Sequence, residues 1–268
     1  QGYLADLSDL EGIANFSDVA KSAWSTDDGS KTFCVPMASV IHGFIYNADA
    51  FAELGLEAPK TTDEFFEVLE AIKADGSYIP LAIGAVDQWE AASMGYHNIG
   101  PAYWKGEEGR LGLINGSAKF TDEEFVEPLR VLQRWGQYAG DGYLAQTYPD
   151  SQNLFTLGRA AIFPAGSWEI SLFEEQADFA LGAFPPPVPA EGDTCYISDH
   201  TDIGIGLNRL GGDVESGGGR VGDGAALDLA GAVAAHALVV CCVDVLVEQR
   251  DAGVEGGEKS AVVLESVR

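Results

Sequence analysis

Residues 35–72 read VPMASVIHGFIYNADAFAELGLEAPKTTDEFFEVLEAI, and this stretch decides the fold class. The apolar, partly β-branched run through Tyr46 has the composition of a buried strand. After Asn47 a short helix is expected, burying Phe51 and Leu54 and ending at Gly55, where a residue without Cβ takes the left-handed conformation at no steric cost. Pro59 and the Thr-Thr pair make a turn. Thr61 and Glu64 then have capping-box spacing, so that each side chain satisfies a free backbone donor of the other. Phe65, Val68, Leu69 and Ile72 fall on one face of the helix that follows, and Asp75-Gly76 stops it.

Outward from this cassette the same grammar continues. YIPLAIGA (78–85) is a strand candidate, and Thr121 with Glu124 forms a second potential box ahead of a helical pattern at Phe125, Leu129, Leu132 and Trp135. Pro128 lies inside that pattern, so the helix either kinks there or begins near it. LGRAAIFPAGSWEI (157–170) reads as a strand, a Gly-rich turn and a further helix; FALGAFPPPVP (179–189) reads as a strand running into a stiff polyproline connector. Toward the N-terminus, Leu4, Leu7, Leu10 and Ile13 suit a short helical or turn segment closing on Gly12, and TDDGS (26–30) is turn chemistry. Strands alternating with helices specify an α/β fold.

Composition narrows the partners. The 268-residue chain carries 42 acidic against 15 basic side chains, a formal charge of −27 that repels phosphate backbones and anionic lipid, so no nucleic-acid partner is expected. Acidity by itself specifies no site; solubility, in a salty medium for example, is reason enough for it. No apolar run approaches the ~18–20 residues of a membrane span. The opening QGYLADLSDL is no cleavable signal; any export signal would lie upstream of Gln1. Cys34, Cys195, Cys241 and Cys242 lack paired metal-site spacing and read mostly as small buried hydrophobes. After Asn208 the character changes: all 13 Phe, 9 Tyr and 5 Trp lie before Arg209. Residues 209–268 are therefore expected to be an anomalous low-complexity tail, disordered or read in a shifted frame, with a divergent tail as the other reading.

The motifs together resemble the carbohydrate-binding solute-binding proteins of bacterial ABC importers, the family that includes maltose-binding protein. VPMASVIHGFIYNADAF is similar to that family's hinge strand and helix start, GLEAPKTTDEF to its Pro-Lys-Thr helix opening, GRAAIFPAGSWEI to its Gly-x-Trp segment and TDIGIGLN to a later strand. The resemblance implies a two-lobe, periplasmic-binding-protein-like α/β fold closing on a ligand. Residues 1–40 would be part of lobe I and the first hinge crossing (near Pro36–Val40), and 41–183 lobe II. Residues 184–208 would be the second crossing (Phe184–Pro189) and a further piece of lobe I. Much of lobe I would be absent, as in an internal fragment. A monomeric, periplasmic or cell-surface receptor is implied, passing a sugar to ABC permease subunits without metal, cofactor or catalysis.

Sugars present apolar C–H faces and hydroxyl rims, so their sites combine flat aromatic platforms with polar groups. The resemblance places Trp168 and Trp89 as platforms, with Gly166 allowing backbone to approach the ligand closely; core packing is the alternative for both indoles. Ser39 beside the hinge, with His200 and Asp202 in the SDHTD loop, would bind hydroxyls; a metal cluster there, or a plain solvated loop, are the other readings. His42 fits a structural role among apolar neighbours. The competing function is a glycoside hydrolase, which needs two carboxylates about 5–10 Å apart across a cleft, and nothing in the sequence pairs them. A protein-interaction module using exposed aromatics is the third.

Overall fold

Strand β1 (Cys34–Asn47) runs 14 residues and organises the molecule. The computed structural model describes residues 3–26, 28–208 and 238–242. Of the described residues, 3–40, 200–208 and 238–242 fall by their internal contacts in one unit and 41–199 in another.

In the second unit, β1 pairs antiparallel with β3 (Ala160–Gly166), His42 opposite Gly166 and Tyr46 opposite Ile162, and antiparallel with β4 (Leu181–Phe184). The short strand β2 (Ile79–Leu81) lies parallel to β3. All seven residues of β3 are buried, as expected of a strand covered on both faces. Helices α2 (Ala48–Leu54) and α3 (Thr62–Asp75) follow β1 as the sequence predicts. Asn47 caps α2, Gly55 ends it at φ +65°, Thr61 and Glu64 close a reciprocal box and Gly76 ends α3 at φ +81°. A π-helix (Glu90–His97) leads into α4 (Asn98–Trp104) and α5 (Glu107–Asn115). Next come α6 (Glu123–Trp135), α7 (Tyr148–Thr156) and α8 (Ile170–Gln176).

Two expectations shift here. Strand β2 is shorter than 78–85 because the chain leaves the sheet: Ala85 and Val86 donate to the carbonyl of Gln146 at 3.2 and 3.1 Å. The box at Thr121 does not form; Asp122 is the N-cap, its carboxylate accepting from Lys119 N at 2.8 Å, and Pro128 is carried inside the helix.

Successive residues of β1 face opposite sides. Phe44 and Tyr46 join a large core with Phe65, Leu69, Ile72 and Trp135, whereas Ile45 joins a second core with Phe155, Phe163, Phe173 and Met94.

The first unit is smaller. Its N-terminal segment holds α1 (Asp18–Ser22), and Gly12 at φ +94° opens a 3-10 turn at Ile13–Asn15 rather than closing a helix. Leu4 bridges Asn208, Leu7 N donates to Thr32 O at 2.7 Å, and Trp24 and Cys34 form a small core with Leu4 and Ala23. Strand β5 (Asp199–Leu207) neighbours β1. It carries Gly204 and Gly206 against that core, where an added Cβ would lie 2.7 Å from Trp24 and 2.9 Å from the Cys34 sulfur. Cys34 is buried as expected; Cys195, read as a small buried hydrophobe, is exposed. Within the segment expected as an anomalous tail, Leu238–Cys242 forms β6, antiparallel to β5 with Ile203 opposite Cys242. The rest of 209–268 lies outside the described residues. Among the described residues no helix is long and apolar enough to cross a membrane.

Candidate functional site

Trp168 sits in a 3-10 turn (Ser167–Glu169) where the chain leaves β3. The turn is pinned to β1 by Ile41 N donating to the Ser167 hydroxyl at 3.2 Å. The indole folds back over Gly166: a Cβ there would lie 1.7 Å from the Trp168 ring, so only glycine admits this rotamer. Gly166 is buried and makes room for the indole that lies over it. Buried His42 sets its ring edge-on to the indole at 5.4 Å. The indole Nε1–H donates to the Tyr148 hydroxyl at 2.8 Å, and Trp168 keeps 36% of its surface exposed.

Trp89 follows Gln88, a non-glycine residue at φ +61°, and precedes the π-helix. Left-handed backbone and π-turns both cost energy and concentrate at functional positions. Half-buried Trp89 packs against the second core and meets the Tyr148 ring edge-on at 4.6 Å. Tyr148 is thus common to both indoles. It stands in the first turn of α7, which Thr147 and Asp150 cap reciprocally, and its backbone N–H donates to Asp87 Oδ2 at 2.8 Å. A carboxylate there also meets the favourable field of the helix N-terminus.

Two carboxyl groups lie beneath this wall. Glu90 is 0% and Glu169 1% exposed. Glu90 Oε2 accepts from Gly84 N at 2.9 Å and from the Ser151 hydroxyl at 3.2 Å; both oxygens of Glu169 accept from Gln152 Nε2, at 3.0 and 2.9 Å. Burial pushes each carboxyl up to about 7, with the nearby Asp87 charge adding to the rise at Glu90. Raised carboxyl pKa values often mark catalytic acids. Here burial, not a facing carboxylate in an open cleft, is the main cause at both positions.

Of the residues expected from sequence, Trp89, Gly166 and Trp168 fall in the second unit, the two indoles joined through Tyr148. Ser39, exposed on β1, and Asp202, partly buried on β5, belong to the first unit, as does His200, described by its backbone only. Among the described residues no three His, Cys, Asp or Glu side chains gather as metal ligands. Tyr148 was not anticipated. Its helix was legible from Thr-Tyr-Pro-Asp, a capping box with Pro near the helix start, but its contact with Trp168 spans 20 residues of chain and has no local signal.

Comparison with known proteins gives the context of this wall. The family model for bacterial extracellular solute-binding proteins matches residues 1–206. Over 175 residues the chain is 30% identical to the multiple sugar-binding protein of Streptococcus mutans, covering 59% of this chain and 39% of that one. The structure is similar to that of the solute-binding protein RafE in complex with raffinose, with TM-score 0.61 and 26% identity over 75% of this chain and 53% of the other. It also shares its fold with a chitin oligosaccharide binding protein, with TM-score 0.65 and 24% identity over 77% and 52% of the two chains. The chain thus spans about half the length of these structures, or less in the case of the Streptococcus protein. With its α/β fold of the periplasmic-binding-protein type and a family match running from residue 1 to residue 206, the chain belongs to the bacterial extracellular solute-binding proteins.

Proposed function

We propose that this chain supplies one wall of an oligosaccharide site in an ABC importer's receptor, working at the periplasmic or cell-surface side and handing its sugar to the permease. The observation that carries the reading is the Trp89–Tyr148–Trp168 assembly, two indoles bridged by one tyrosine with Trp168 partly exposed. Aromatic faces stack on sugar C–H surfaces, and a platform locked by its own hydrogen bond loses little entropy on binding. In this reading residues 41–183 form the lobe that carries the wall. The crossings lie near Pro36–Val40 and Phe184–Pro189, and Ser39, His200 and Asp202 contribute polar contacts from the other lobe. Closure follows from contacts made only in the closed state.

Raffinose, bound by RafE, is the first ligand to try. Calorimetric titration of the complete gene product should give saturable binding, and Trp168→Ala should weaken it about 30-fold, the scale of a buried aromatic anchor. Chromatography of the sugar after long incubation tests the hydrolase alternative. Released monosaccharide, abolished by substituting an Asp or Glu while Trp168→Ala leaves affinity unchanged, would replace receptor with enzyme.

A further inference from the structure

The dipeptide Trp-Glu occurs at both platforms, Trp89-Glu90 and Trp168-Glu169. In each, the indole is partly open while the next residue is buried to 0% or 1% exposure. Neighbouring residues in a helical turn project roughly 100° apart, so a turn that sends one side chain inward turns the other out. Burying a carboxyl is costly unless it is bonded, and an apolar residue would fill the same space without that cost.

Both buried carboxyls reach the same short piece of structure. Glu90 lies 3.2 Å from the Ser151 hydroxyl, which is shared with the Tyr148 carbonyl at 2.8 Å, and Glu169 accepts from Gln152; Ser151 and Gln152 are consecutive residues of α7. Tyr148, one helical turn earlier on α7, touches both indoles. Each platform is therefore tied to α7 twice, once through its ring and once through the glutamate that follows it. We propose that Glu90 and Glu169 are positioning residues that lock the two Trp-bearing turns to α7, making the aromatic wall one rigid body whose geometry Ser151 and Gln152 set. A hydrogen bond is directional where an apolar contact can slide, and direction is what fixes the tilt of a stacking face. The neutral form favoured by burial keeps the cost of each clamp low.

The inference rests on the sugar-receptor reading for its consequence, but its test need not. Ser151→Ala and Gln152→Ala remove the α7 end of each clamp and leave the glutamates and indoles in place. Near-ultraviolet circular dichroism and acrylamide quenching, without sugar, should report changed indole environments in both variants while the far-ultraviolet spectrum stays wild type. Raffinose affinity should fall about tenfold or more in Gln152→Ala, whereas Glu169→Gln, which keeps an acceptor for Gln152, should stay near the wild-type value. Should Glu90→Ala or Glu169→Ala fail to fold, the α7 variants decide the matter. Unchanged indole bands in both of them, or equal affinity loss in Glu169→Gln and Gln152→Ala, would overturn the proposal. If the wild-type protein binds no sugar, the receptor reading falls while the indole bands still judge the clamp.

Discussion

The two cores that β1 separates are built on different terms. On the Phe44 side, Phe65, Phe184 and Trp135 surround Phe44 with ring centroids 5.1, 4.9 and 5.7 Å away. On the Ile45 side, the apolar cluster of Phe155, Phe163 and Phe173 adjoins α7, whose Ser151 and Gln152 donate to buried Glu90 and Glu169. The first arrangement maximises burial and dispersion; the second admits polar groups and their desolvation cost. The lesson is that the side carrying the aromatic wall gives up some stability for directional bonds.

The sharpest way to test that contrast is to damage the apolar side. Phe65→Ala removes a ring that is 2% exposed and touches four others, and should cost about 3–5 kcal/mol in denaturant unfolding while leaving the indole spectrum of the wall unchanged. If sugar affinity falls as steeply as stability, the two sides are not independent.

Next in size is the pH dependence of the polar side. Between the ordinary value of 4.5 and about 7, folded Glu90 and Glu169 hold protons that the unfolded chain has released. Raising pH through that window therefore favours unfolding. The stabilising effect of each neutral acid is complete below 4.5 and gone above 7. Roughly 3 kcal/mol per carboxyl is the full scale of the effect. Thermal melts of Glu90→Gln and Glu169→Gln should show flatter pH profiles than wild type, and a profile as steep as wild type would mean that neither group is buried neutral.

Smaller again, Trp168→Ala should lower sugar affinity by about 2 kcal/mol, with a melting shift well below that of Phe65→Ala, because the indole is partly exposed. Smallest is Thr61→Ala, which breaks the α3 capping box on the apolar side; about 1 kcal/mol of stability should be lost with no change in binding.

Legibility followed the range of the interactions. The segment 35–72 was readable because its signals act within one helical turn: Asn47 and Thr61 satisfy donors three residues on, and Gly55 and Gly76 take left-handed conformations. The start of α6 was misplaced by two potential caps side by side; Asp122 takes the N-cap position, its carboxylate accepting from Lys119 N and not from the first turn of the helix. The end of β2 was misread because the bonds that draw Ala85 and Val86 away come from Tyr143 and Gln146. At the site, Gly-x-Trp pointed to Trp168, yet the use of Gly166 emerged only with the rotamer of the indole above it.

The amino-acid sequence by itself determined the alternation of strands and helices, the caps that delimit α2 and α3, a net charge of −27 and the tryptophans to consider. These depend on local backbone satisfaction and on summed charge, both of which can be counted along a chain. Only the tertiary structure decided that Tyr148 joins Trp89 to Trp168 and that Glu90 and Glu169 turn inward onto neighbouring residues of α7. Those contacts require α7 and β3, and β3 with β1, to pack in one register, with His42 opposite Gly166. That register is settled by packing between segments far apart in sequence, to which no single stretch of residues bears witness.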